Sequence, residues 1–222
     1  MDARRLPAAV LAAATDRRGG AAEVAARAVD GLLEVAGDPP RLEEAVAVLL
    51  AGQPAMAPIW HLARAARGPD PAAALARLRH SLHADADAAV AAATGWLRER
   101  LTATPGAVAT VSHSSLVDRV LRALAHQGPP PSPVVGVVGA DAIGPKGLLN
   151  ATGTAELVAR VPALVVATAV KLVPATVFDR LGGEGFEVVP LEPLAAVVVG
   201  PEVLSPAEAG RRAAGQLSRW HL

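Results

Sequence analysis

The chain has 222 residues, 21 basic against 21 acidic, no cysteine, and 52% apolar but only 2% aromatic residues. This excludes disulfides, thiolate metal sites and a cysteine nucleophile. It also excludes a chain-wide basic footprint for nucleic acid or anionic lipid and base stacking on aromatic platforms. A sizeable core of Ala, Val and Leu remains, enough for one large domain or for a helical domain joined to a small α/β domain.

The apolar stretch Leu6 to Ala14 is too short to span a bilayer. Asp16-Arg17-Arg18 follows it where a leader would carry a cleavage site, so it reads as a helix. The expectation is a cytoplasmic protein with no membrane contact and no direct nucleic-acid contact. Val24, Ala28, Leu32 and Val35 recur at helical spacing within 21–36. Asp38-Pro39-Pro40 breaks that helix, and Leu42 to Leu50 resumes the pattern. Gly52-Gln53-Pro54 is a turn before a helix over Ile59 to Ala66. Pro71, well suited to a first helical turn, opens a long helix to Leu101. Thr104-Pro105-Gly106 ends the helical region.

A short β-type run, Ala107 to Val111, comes next. Ser115-Leu-Val-Asp118 has the form of a capping box, Leu116, Val117, Val120, Leu121 and Leu124 make one apolar face, and Gly128 closes the helix. After the rigid 129–133 connector, buried strands are expected at 134–138, 163–167, 187–189 and 195–199. Alternating β and α with hydrophobic strands implies a mostly parallel sheet covered on both faces. The fold class is therefore α/β: an N-terminal helical domain, 1–104, followed by a shortened Rossmann-like, mostly parallel sheet, 105–222.

In open α/β sheets ligands bind beyond the carboxyl ends of the strands, and the polar residues gather there. Ser112, His113, Ser114 and Ser115 follow the first strand and open a helix, where free amides favour an anion. Asp141 follows the second strand. Asn150, Thr152, Gly153 and Thr154 open the next helix. Thr168 and Lys171 follow the third strand; Lys171 and Lys146 are the two lysines of the chain. Such a set suits a phosphorylated sugar, with amides and Lys for phosphate and Asp and Asn for hydroxyls. Each residue also has a plainer reading: Asp141 as a turn residue, His113 as a helix-start residue without chemistry, Lys171 as a solvated cation, Thr152 to Thr154 as an ordinary N-cap.

Gly139-Ala140-Asp141-Ala142-Ile143, followed by Asn150-x-x-Gly153-Thr154, resembles the signature of one superfamily. It holds the alpha, beta and delta regulatory subunits of eukaryotic translation initiation factor 2B, methylthioribose-1-phosphate isomerase and ribose-1,5-bisphosphate isomerase. "TVSHSSLVDRVL" resembles the family's Thr-x-Ser/Cys loop, closer to the regulatory subunits than to the isomerases. "ATAVKLVP" resembles the segment ending in Ser-Lys. "FEVVPLEPLAAVVVGPEVLSPAEA" resembles the C-terminal segment, and "DRRGGAAEVAARAV" and "GQPAMAPI" follow the helical N-terminal domain.

The resemblance implies that Asp141 matches a catalytic acid/base of the isomerases. It also shows departures. The cysteine of the loop matching Ser112 to Ser115 is absent, Ala151 stands where the isomerases carry a ligand-binding Lys, and Arg-Pro-Thr reads Gln53-Pro54-Ala55. Two βα units of the family, between the Ser/Cys loop and Gly-Ala-Asp, have no counterpart, so an uncovered apolar face and association into a homodimer or heteromer are expected. Two functions compete. One is a sugar-phosphate or nucleotide binding protein with a regulatory or assembly role. The other is an aldose–ketose isomerase of a phosphorylated pentose, with Asp141 moving the proton and His113 or a Ser replacing the thiol. The lost groups favour binding, and neither function calls for a cofactor or a metal.

Overall fold

The computed structural model describes residues 5–111, 114–124, 133–216 and Trp220. Five helices come first: α1 (Ala8–Thr15), α2 (Ala21–Glu34), α3 (Pro39–Gly52), α4 (Ala57–Ala66) and α5 (Pro71–Ala103). The sequence fixes their starts locally. The Asp70 carboxylate accepts from the Ala73 amide at 3.1 Å, and Pro71 occupies the first turn of α5. Asp38 accepts from the Arg41 amide at 3.3 Å, so Pro39-Pro40, expected to be only a break, forms the first turn of α3. The apolar faces of α1 to α4 close on the first half of α5, through Val10, Val24, Leu32, Val46, Leu49, Ile59, Leu62, Leu75 and Leu82.

The second half of α5 turns to the sheet. Five strands run in the order β1 (Ala107–Ala109), β2 (Pro133–Val138), β5 (Ala163–Ala167), β7 (Ala196–Val199), β8 (Glu202–Leu204). The first four are parallel, and β8 returns antiparallel on β7. Ala89, Ala93 and Leu97 of α5 and Leu116, Val117 and Val120 of α6 (Ser115–Ala123) cover one face. The other is covered by α7 (Thr154–Arg160), α9 (Pro206–Ala214), which follows the short α8 (Ala175–Phe178) in the chain, and residues of the small sheet such as Ile143, Leu148 and Val189. A single helix of 33 residues, about 50 Å long, thus belongs to both cores.

Four expectations change. Residues 142–151, where no strand was expected, form a hairpin, β3 (Ala142–Ile143) and β4 (Gly147–Ala151), closed by the Gly144 amide on the Gly147 carbonyl at 2.8 Å. The strand expected at 187–189 is β6 (Phe186–Pro190), which lies outside the parallel sheet. It pairs antiparallel with β4, giving a separate sheet ordered β3-β4-β6. Third, α6 begins at Ser115 with Ser114 at the cap position, one residue before the expected capping box. Gly128, expected to close α6, lies outside the described residues. Fourth, the apolar face expected to lie open is covered, because α5 supplies the layer that the missing βα units do not. Only residues 125–132 lie between α6 with its cap and β2. Among the described residues the parallel part of the large sheet has four strands, β1, β2, β5 and β7.

Candidate functional site

The strands deliver their carboxyl ends to one edge, and the helical region closes over it. Between them lies a cavity of about 660 Å³, within the range of small-molecule sites. Asp141, Asn150, Lys171, Ser114 and Ser115 all line it. The resemblance and the rule of strand carboxyl ends thus point to residues that the fold brings together.

Asp141 is clamped by its own backbone. Its amide donates to the Leu149 carbonyl at 2.8 Å, and its carbonyl accepts from the Ala57 amide at the start of α4 at 3.0 Å. The turn thereby joins β2, the β3–β4 hairpin and the helical region, and the carboxyl faces the cavity wall. Burial pushes this carboxyl above its usual value, partly offset by the positive charge of Lys171. Lys171 closes the single 3₁₀ turn Ala169–Lys171 after β5 and is only 4% exposed. It is not a solvated cation. Burial lowers it to about 8, against the attraction of Asp141.

The Asn-x-x-Gly-Thr motif divides. Asn150 is buried on β4 and lines the cavity, and its amide donates to the Thr154 hydroxyl at 3.0 Å. That hydroxyl donates in turn to the Ala151 carbonyl at 2.7 Å. Gly153 holds a left-handed φ of 100° at the cap of α7. Thr152, Gly153 and Thr154 are not in the cavity wall, and the amide of Ala155 is already taken by the Glu187 carboxylate at 2.8 Å. These three residues build the turn that aims Asn150. Ser112 and His113 lie outside the described residues.

The opposite wall was not singled out as a site. It is the loop 16–20 and the start of α2, with Arg17, Arg18, Gly19 and Gly20, together with Gln53 to Met56 and the glycine-rich 182–185. Asp16 shapes the loop: its Oδ1 accepts from the amides of Arg18 and Gly19 at 2.8 Å, and its Oδ2 pairs with Arg27 at 2.7 Å. Those amides, more than Arg27, hold the carboxyl down at about 2. Gln53 donates to the carbonyls of Ala13 at 2.8 Å and Asp16 at 2.7 Å and so ties the loop to the end of α3. Gly19-Gly20 directly before a helix was the available signal, since it leaves helix-start amides open to a ligand.

No family model matches the sequence, and no curated protein matches it. Solved structures do. The chain is similar to the translation initiation factor eIF-2B of Pyrococcus horikoshii OT3, with 14% identity and a TM-score of 0.65 over 90% of this chain and 96% of that one. It is similar to a chain of the tetrameric eIF2B-beta2-delta2 complex from C. thermophilum, with 14% identity and a TM-score of 0.66 over 95% and 92%. It is also similar to 5-methylthioribose 1-phosphate isomerase from Pyrococcus horikoshii OT3, with 14% identity and a TM-score of 0.57 over 94% and 87%. At these identities the likeness establishes the fold: the chain has the architecture shared by the initiation-factor-2B subunits and this sugar-phosphate isomerase.

Proposed function

We propose that this chain binds a small phosphorylated sugar or a nucleotide in the cavity at the carboxyl edge of its sheet and serves a regulatory or assembly role. The observation that carries this reading is the joint presence around one cavity of Asp141, Asn150, Lys171 and two helix starts, at Gly20 and Ser114. The amides and cations suit a phosphate, while Asp141 and Asn150 suit hydroxyls. A cytoplasmic setting belongs to the same proposal; among the described residues no helix is long and apolar enough to cross a membrane. So does the division of the chain at residue 104, across which α5 serves both cores.

A second reading, the aldose–ketose isomerase, draws on one observation: the raised carboxyl of Asp141 holds and releases a proton closer to neutrality than an ordinary Asp. Against it stand the absent cysteine and Ala151 in the wall. Thermal shift with ribose-1,5-bisphosphate, methylthioribose-1-phosphate and nucleoside monophosphates tests binding; a ligand at 100 times its Kd adds about 2.7 kcal/mol of stability. NMR of the two sugar phosphates tests conversion. The expected result is stabilisation without conversion, with Asp141→Asn changing affinity alone. A conversion rate that vanishes in Asp141→Asn would establish the isomerase instead.

A further inference from the structure

Lys171 is in an unusual position for a cation. Its backbone is fixed, the amide donating to the Thr168 carbonyl at 3.0 Å. Its side chain lines the cavity, yet among the described residues it has neither a hydrogen-bond partner nor an ion pair. A buried ammonium without partners is costly, and shedding the proton relieves the cost. Of the charged groups that share the cavity wall (Asp16, Arg17, Arg18, Asp141 and Glu184), Asp141 is the one that acts on it, and it only partly restores the charge. The result is an amine that is available as a nucleophile beside a carboxyl able to give and take a proton. Those are the two groups that imine formation with a carbonyl requires.

We propose that Lys171 forms a reversible imine with the open-chain aldehyde of a small phosphorylated aldose held in this cavity, with Asp141 moving the protons. The amine lone pair attacks the aldehyde carbon, and the carbonyl oxygen takes a proton from Asp141 to give a carbinolamine. The nitrogen returns a proton to the Asp141 carboxylate. Asp141 gives that proton to the hydroxyl, which leaves as water as the nitrogen lone pair forms the C=N bond of the protonated imine. Aldehyde and amine give imine and water, and nothing is oxidised or reduced. The inference rests on the reading of the cavity as a sugar-phosphate site.

Glyceraldehyde 3-phosphate is the probe, with cyanoborohydride to reduce any imine to a stable secondary amine and peptide mass spectrometry to locate it. At pH 7.5 a lysine near 8 is about one quarter neutral, whereas one at the ordinary 10.5 is about one thousandth neutral. The lower basicity costs some intrinsic reactivity. Labelling of Lys171 is therefore expected to exceed that of Lys146, the other and exposed lysine, by about tenfold or more. On the wild-type protein its rate is expected to level off above pH about 8. Asp141→Asn is expected to slow it, and Lys171→Met to remove it. Labelling of Lys146 equal to or above that of Lys171 overturns the proposal. Glycerol 3-phosphate, which has the phosphate but no carbonyl, separates the two readings in a thermal shift. Stabilisation by both compounds with no adduct at Lys171 overturns the imine and leaves the binding reading standing. Stabilisation by neither compound, with Lys171 unlabelled, overturns both.

Discussion

His61 is the second buried ionisable group whose state its surroundings decide. It sits on α4 with its Nε2 donating to the Leu172 carbonyl at 3.0 Å, and Trp220 packs edge-on against the ring with centroids 4.8 Å apart. Arg64 lies 5.2 Å over the same Trp220 ring. Burial lowers His61 to about 4 from 6.5, outweighing the hydrogen bond, which favours the charged form. The folded value lies below the unfolded one, so the unfolded chain binds the proton first as pH falls. The stability contributed by neutral His61 is full above pH 6.5 and is lost progressively toward pH 4. The loss approaches about 1.4 kcal/mol per pH unit in that window. His61→Gln keeps a donor for Leu172 but cannot titrate. Urea unfolding at pH 7.5 and 5.0 is expected to show a smaller pH difference in the variant than in the wild type, and equal differences would refute the buried neutral imidazole. The same carbonyl follows Lys171 directly, so His61 also ties α4 to the turn that carries the cavity lysine.

Among the elements, α1 and α3 set the far wall of the cavity through one close approach. A Cβ on Gly52 would run into the backbone carbonyl of Ala14, and the Gly52 carbonyl itself accepts from Arg17 at 2.9 Å. The loop 16–20 can therefore reach the cavity only because the last residue of α3 has no side chain. Gly52→Ala is expected to push the helices apart and destabilise the chain by about 1–3 kcal/mol. It is also expected to weaken ligand binding, because Arg17 is shifted from the Gly52 carbonyl and Gln53 from the carbonyls of Ala13 and Asp16. Chemical denaturation and thermal shift with a sugar phosphate read the two effects; an unchanged denaturation midpoint would show that the helices yield freely. At the other end of the chain, Ser205 caps α9 by accepting from the Glu208 amide at 3.2 Å, with Pro206 in the first turn. The Arg212–Glu202 pair then links α9 to β8, but both partners are exposed and it contributes little.

For the whole molecule, covering of the sheet by α5 removes the large bare face that had argued for association. The large apolar side chains left exposed among the described residues are Leu11, Val188 and Val203. Val188 is 59% exposed on β6, the edge strand of the small sheet, and Val203 is 44% exposed on β8, the edge of the large one. An exposed edge with an apolar side chain is a pairing surface. A homodimer or heteromer remains the expectation, now resting on these edges. Val188→Glu is expected to leave folding intact and lower the mass measured by light scattering at micromolar concentration. A wild-type protein that is monomeric under those conditions would contradict self-association.

The five N-terminal helices and the parallel strands are legible in the amino-acid sequence. Each of these carries its signal in a local window: an apolar period of 3.6, a run of Val, or a capping Asp followed by Pro. It also marked Asp141, Asn150 and Lys171, because residues at strand ends are neighbours whatever the details of the sheet. The rest follows from contacts between segments distant in the chain. Leu148-Leu149-Asn150, where no strand was expected, becomes one by pairing with β6, with Asn150 opposite Glu187. Thr154 belongs to the turn and not to the cavity because Ala151 and Asn150 take its hydroxyl. The covering of the sheet depends on where the second half of α5 falls, and the loop 16–20 on a contact with Gly52, 35 residues from Arg17. The protonation of Lys171 and His61 depends on burial. That is a property of everything packed around them, and no local window contains it.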